Sequence, residues 1–178
     1  DESVLVVGSG GGVNSLSISL AHAMGAHVIA LAGSRERCQR ASELGAQQTI
    51  CYRDNPNWAK EIIQMTGGNG VDLVIDNVGQ ATFPQSLRAL KRGGRLVTVG
   101  NTSGFKIELD NRLIFGKQLS IIGSTMGSAE DLKDALFFMR SHNIGPIIDC
   151  VDTLENGITQ IARMELGEHF GKIVLKVS

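Results

Sequence analysis

The sequence is poor in aromatic residues. Only 4% of its 178 residues are Phe, Trp or Tyr. Its strands must therefore be built from Val, Ile and Leu, the composition of a parallel sheet buried on both faces. An excess of either charge is also missing. Seventeen Lys and Arg stand against eighteen Asp and Glu, and no long basic run occurs. This excludes the electrostatic footprint expected for a nucleic-acid partner or an anionic membrane surface. The longest apolar runs are strand-length, far short of the roughly 20 residues of a membrane-spanning helix. Cys38, Cys51 and Cys150 form no Cys-x-x-Cys pair, and His22, His27, His142 and His169 are scattered. No metal-ligand spacing results, and free thiols of this kind fit a reducing cytoplasm.

One more absence is local. No Asp or Glu lies between Glu2 and Glu36, a stretch whose meaning depends on what fills it. Val4 to Val7 reads as a short buried strand. Gly8, Gly10, Gly11 and Gly12 then turn the chain, and Val13 opens an amphipathic helix carrying Leu16, Leu20 and Met24. Strand, glycine loop and helix in this order make a phosphate site. Glycine removes the Cβ atoms that would hold a pyrophosphate off the backbone, and the helix N-terminus aims free N–H groups at it. The motif gains weight from its place at the head of a long strand–helix alternation.

That alternation continues with strands predicted at Val28–Ala32, Gln48–Tyr52, Val71–Asp76, Arg95–Val99 and Leu119–Gly123. Between them lie helices: one capped by Ser34, one over Trp58–Met65, one marked by Phe83, Leu87 and Leu90, and a short one near Asn111–Phe115. Six strands separated by helices imply an α/β fold with a doubly wound parallel sheet. Ser128 and Asp131 predict a capping box for a further helix. The alternation ends near His142–Pro146, so residues 1–146 read as a nucleotide-binding domain and residues 147–178 as an appended segment. In that segment Asp152 and Glu155 predict a second capping box, before a helix carrying Leu154, Ile158 and Ile161, and Lys172–Val177 a last strand.

NAD sites usually place an acid at the end of the second strand, to hold the ribose 2′-hydroxyl. Here that place is near Ala32, and the following loop reads Gly33-Ser34-Arg35-Glu36-Arg37. A hydroxyl and two guanidiniums suit a 2′-phosphate, so NADP(H) is favoured over NAD(H), with Ser34, Arg35 and Arg37 as its ligands. No residue stands out as a nucleophile or general acid; Asp76, at a strand end, is expected to cap a turn.

Particular segments carry a family likeness. They are Val4-Leu-Val-Val-Gly-Ser-Gly-Gly-Gly-Val13, Glu43-Leu-Gly-Ala46, Gly70-Val-Asp-Leu-Val-Ile-Asp76, Leu90-Lys-Arg-Gly-Gly-Arg-Leu-Val97 and Gly171-Lys-Ile-Val174. In order and spacing the chain resembles the medium-chain dehydrogenase/reductase superfamily, near its quinone-oxidoreductase-like and zinc-type alcohol dehydrogenase members. The resemblance implies a Rossmann-type domain, with a separate N-terminal GroES-like domain holding any catalytic zinc, and a final strand that returns to that domain. It implies that Tyr52 lies beside the adenosine, Asn77 and Val78 near its ribose, and Gly100, Asn101 and Thr102 near the nicotinamide ribose. One departure is Asn14, where the family usually has a glycine that lets helix and strand pack closely.

The expected function is the cofactor-binding part of an NADPH-dependent oxidoreductase. It would move a hydride between nicotinamide and a small-molecule carbonyl, alcohol or quinone/enone. A dinucleotide-binding module without a reaction of its own, and an S-adenosylmethionine-dependent methyltransferase, remain open alternatives on the sequence. The strand 119–123, apolar and without Lys or Pro, reads as an unguarded sheet edge and predicts a homodimer through it.

Overall fold

The computed structural model describes residues 2–177. Six parallel strands form the main sheet: β1 Ser3–Val7, β2 His27–Ala32, β3 Gln48–Cys51, β4 Val71–Asp76, β5 Leu90–Thr98 and β6 Ser120–Gly123. Their order across the sheet is β3-β2-β1-β4-β5-β6. The chain moves outward from β1 to β3, returns to β4 and moves outward the other way. β1 and β4 therefore flank the switch point, where ligands bind beyond the strand C-termini in such sheets.

The central strands β1 and β2 are buried on both faces, whereas the edge strand β6 is exposed throughout. Leu5 and Val7 of β1 join Ile29, Leu31, Trp58, Ile62, Phe83 and Leu87 in one core. Val4 and Val6 join Ile18, Val28, Ala30 and Ala41 in the other. Side chains alternate between faces along a strand, so covering both faces demands an unbroken apolar run, and β1 supplies one. The helices α1 (Gly12–Ala23) and α2 (Arg35–Glu43) cover the second core, while α3 (Trp58–Met65) and α4 (Phe83–Ala89) cover the first.

α5 (Asn111–Lys117) precedes the edge strand β6, and α6 (Ala129–Ser141) follows it. The capping box at Ser128 and Asp131 is formed in both directions. Leu90, expected on the fourth helix, instead begins β5, and the β4–β5 register shifts between Val71 and Leu73.

The last segment differs more. Residues Ile148–Thr153 form a strand, β7, that the sequence reading missed, and β7 pairs in parallel with β8, Lys172–Lys176. This pairing displaces the expected capping box. Asp152 lies inside β7, Glu155 falls in a single 3₁₀ turn, and α7 starts at Gly157. The Asp152 carboxylate instead accepts from Thr153 N and Asn156 Nδ2, both at 2.8 Å, and from Gln160 Nε2 at 2.7 Å.

Candidate functional site

The glycine loop sits at the C-terminal end of β1, beside the switch point. Gly8 takes φ +84°, a left-handed conformation that an L side chain rarely adopts, and a Cβ there would lie 3.0 Å from Val78 Cγ2. Gly8 N and Ser9 N both donate to Leu31 O, at 2.9 and 3.0 Å, which fixes the turn against β2. Gly11 is the N-cap of α1 and makes no side-chain cap bond. The N-terminus of α1 therefore presents free N–H groups and its partial positive charge.

The other loop glycines play different parts. A Cβ on Gly10 would lie 2.8 Å from Arg37 Nη1, and one on Gly12 would lie 2.5 Å from Lys172 Cε and 2.9 Å from its Nζ. These two make room for side chains of the protein. A Cβ on Gly11 would meet nothing within 4 Å. Gly11 thus opens onto free space at a helix N-terminus, next to Gly12, over which the Lys172 ammonium lies. No carboxylate among the described residues pairs with Lys172.

Asn14 is buried, and its side chain turns back to the protein. Its Nδ2 donates to Val7 O and to Asn77 Oδ1, both at 2.8 Å, and to Gly8 O. The side chain staples the glycine turn to the end of β4. Asp76, fully buried beside it, accepts from Val78 N (2.9 Å), Gly79 N (3.1 Å), Thr82 Oγ1 (2.9 Å) and Ser86 Oγ (2.6 Å). These bonds spend its lone pairs on shaping the 77–82 loop, as an acid capping a turn does.

That loop brings several expected residues together. Gly8, Tyr52 and Val78 line one cavity of about 420 Å³, with Leu31, Trp58 and Thr82. Tyr52 lies over Gly33, where a Cβ would sit 2.7 Å from its Oη. Ser103 N donates to Val78 O at 2.8 Å, and Gly79 packs against Asn101 Cα, so the β4 and β5 loops form one wall. Gly100 packs on Asn77, while Asn101 and Thr102 remain exposed on the rim. Val13 is also exposed, at the opening of α1.

Ser34 caps α2, accepting from Arg37 N at 3.3 Å. The two arginines expected to share a ligand diverge. The Arg35 side chain is 90% exposed and pairs with Asp54 at 3.3 Å, a surface pair that constrains it little. Arg37 turns inward, and its Nη2 donates to Gly167 O and, at 2.9 Å, to His169 O. Arg53, which the sequence reading did not single out, lines the same polar cleft as Gly33 and Ser34.

With this geometry in place, comparison with known proteins decides the family. The family model for zinc-binding dehydrogenases matches residues 12–141. The chain belongs to this family. It is 32% identical over 178 residues to a zinc-type alcohol dehydrogenase-like protein of Schizosaccharomyces pombe, covering 98% of this chain and 51% of that protein. A crystal structure of an NAD-dependent alcohol dehydrogenase superposes with TM-score 0.93 at 38% identity, over 99% of this chain and 51% of the other. A 2-octenoyl-CoA carboxylase reductase in complex with NADP and 2-octenoyl-CoA superposes with TM-score 0.90 at 25% identity, over 98% of this chain and 43% of the other. The chain thus spans about half the length of the relatives it matches.

Among the described residues of this family member, no group of three or more His, Cys, Asp or Glu could hold a metal ion. No described helix is long and apolar enough to cross a membrane. The feature the sequence reading missed is the return of the tail to the glycine loop. Gly171 N donates to Gly10 O at 2.9 Å, and Gly11 and Gly171 form a parallel bridge. The last strand therefore meets the nucleotide loop and β7 within this chain. The signal in the sequence was Gly171-Lys172 itself: Gly171 takes φ +97°, and a Cβ there would strike Ile147 O.

Proposed function

We propose that this chain is the dinucleotide-binding part of an oxidoreductase that transfers a hydride between nicotinamide and a small-molecule carbonyl, alcohol or quinone/enone, with NADP(H) preferred over NAD(H). The observation that carries this reading is Gly11, an α1 N-cap with open space where its Cβ would stand, next to Gly12, over which the Lys172 ammonium lies. A diphosphate fits that chemistry, because it meets free N–H groups, the helix dipole and a cation that no described carboxylate pairs with. In this reading Gly8, Gly11, Gly12 and Val13 receive the diphosphate, Tyr52 the adenosine, Asn77 and Val78 its ribose, and Gly100, Asn101 and Thr102 the ribose toward the nicotinamide. Once bound, the nicotinamide supplies the hydride chemistry, and the protein supplies binding and orientation.

Preference for NADP(H) rests on two features. Ala32 ends β2 without a carboxylate, Ser34 and Arg53 line the adjacent cleft, and Arg35 follows Ser34 at the start of α2, all with donors that suit a phosphate. We place any zinc, and much of the substrate pocket, in a further domain of the full-length protein, and the whole in the cytoplasm. We also propose a homodimer through the outer edge of β6, whose four residues are all exposed and whose far side pairs with no strand among the described residues.

Calorimetry with NADPH, NADH and ADP-ribose tests the cofactor reading. Gly11→Val should leave the fold intact, since its Cβ meets nothing within 4 Å, and should abolish binding of all three. A folded variant that binds them normally would remove the loop from the site. For the dimer, Ile121→Pro deletes a backbone donor from β6 and should yield monomers or aggregates. A wild-type protein that sediments as a monomer at high micromolar concentration would exclude this assembly.

A further inference from the structure

Residues 167 and 169–172 are each held individually. Arg37 Nη2 binds the carbonyls of Gly167 and His169. Phe170 N donates to Asp149 Oδ1 at 2.9 Å, and the buried Phe170 ring lies 4.2 Å from the Arg40 guanidinium. Gly171 N donates to Gly10 O, and Lys172 N to Ile147 O at 2.8 Å. Asp149 is the hub of this arrangement. Its side chain is only 6% exposed and meets Arg163 Nη1 at 2.7 Å and Arg40 Nη1 at 3.7 Å. Arg37 and Arg40 are three residues apart, on one face of α2. That face is turned toward the tail.

We infer that Arg37, Arg40 and Asp149 are positioning residues for the cofactor: they clasp segment 167–172 to α2 and so hold the Lys172 ammonium over Gly12. The inference rests on the dinucleotide reading given above. It gives Arg37 a role opposite to the one its sequence position suggests. A ligand of the 2′-phosphate would affect NADPH alone. A clasp acting through Lys172 affects the diphosphate, which NADH and NADPH share. Arg37 is half-buried at the cleft it shares with Ser34 and Arg53, but its Nη2 faces the tail carbonyls and its Nη1 faces Gly10, so the guanidinium is engaged on two sides.

The test is a double-mutant cycle in the intact protein, read as dissociation constants for NADH, NADPH and ADP-ribose. Lys172→Ala should weaken all three about tenfold, and Lys172→Arg should restore them. Arg37→Met should weaken NADH and NADPH by a similar factor and leave their ratio unchanged. In the Arg37→Met background, Lys172→Ala should cost little more, because the ammonium is already misplaced. Asp149→Asn should behave like Arg37→Met. If that variant does not fold, Arg40→Gln, which removes one arm of the hub, serves instead. A loss confined to NADPH in Arg37→Met would overturn the clasp. Independent, multiplying effects of Arg37→Met and Lys172→Ala would overturn it equally. A wild-type protein that binds none of the three ligands would overturn the parent dinucleotide reading instead.

Discussion

Residues 3–119 and residues 120–177 handle their apolar side chains in opposite ways. In the first stretch Val, Ile and Leu fill two cores, one on each face of the sheet. In the second, Phe170 and Gly171 are the sole buried residues among those described, and Leu132, Leu136, Phe137, Ile158 and Ile161 are all exposed. The tail joins the body through backbone hydrogen bonds, two arginines of α2 and the carboxylate of Asp149. The body is thus held by area removed from water, which is non-directional. The tail is held by polar contacts, whose strength depends on geometry and charge. A directional attachment suits a segment that must deliver one ammonium to one place.

The largest expected effect tests the difference directly. Leu87, fully buried against α3 and the sheet, and Phe137, 76% exposed on α6, are both large and apolar. Leu87→Ala should cost roughly 2–5 kcal/mol in urea unfolding. Phe137→Ala should change stability by about 0.5 kcal/mol or less. A comparable loss at Phe137 would mean that α6 is buried in the protein in solution, and the contrast between the two regions would fail.

The next effect separates cofactor choice from cofactor strength. Choice is assigned to the body, at Ser34, Arg35 and Arg53. Strength is assigned in part to the tail, through Lys172. Arg35→Ala combined with Arg53→Ala should weaken NADPH by roughly 10- to 100-fold, the range of one or two charge-assisted contacts. NADH should change little. Equal affinities of the unmutated protein for the two cofactors, measured at low salt, would remove the 2′-phosphate site altogether.

The parts of this molecule that could be read from its sequence are those governed by local rules. β1 and β2 are short, almost wholly apolar runs, and double-sided burial leaves little else they could be. The glycine turn, the Ser34 cap and the Ser128–Asp131 box each depend on residues within a few positions. What stayed hidden depends on distant partners. β7 reads Ile-Asp-Cys-Val-Asp-Thr, a weak apolar pattern that becomes a strand only because β8 pairs with it some twenty residues later. Asn14 could be judged against the glycine it replaces, but not against Asn77, its partner 63 residues away. Arg37 sits where a phosphate ligand belongs, and only the fold reveals carbonyls 130 and 132 residues downstream that take its Nη2.

The smallest expected effect sets one ion pair of the body against one of the tail. Asp72, on β4, accepts from Ser3 N at 2.9 Å and Ser3 Oγ at 2.7 Å and pairs with Lys91. Burial raises the Asp72 pKa, but Lys91 and the Ser3 donors outweigh it and hold the carboxyl down at about 2. Burial likewise opposes ionisation of Asp149, while Phe170 N, Arg163 and Arg40 hold its carboxyl below the ordinary range. Both native values are thus depressed below the unfolded value of roughly 3.9. The stabilisation is fully present above that value and is lost as pH falls through the native pKa, because the unfolded chain then binds more protons. Lys91 is partly exposed, so solvent screening reduces the Asp72 contribution to the order of 1 kcal/mol. Asp72 lies within the main sheet, so its protonation should appear as a global loss of stability below about pH 4, flattened in Asp72→Asn. Asp149 holds only the tail, so its protonation should appear first as faster amide exchange at Phe170 N, with the β1 amides still protected. If Phe170 and the β1 amides lost protection together over the same pH range, the tail would be part of the cooperative core and not a polar attachment to it.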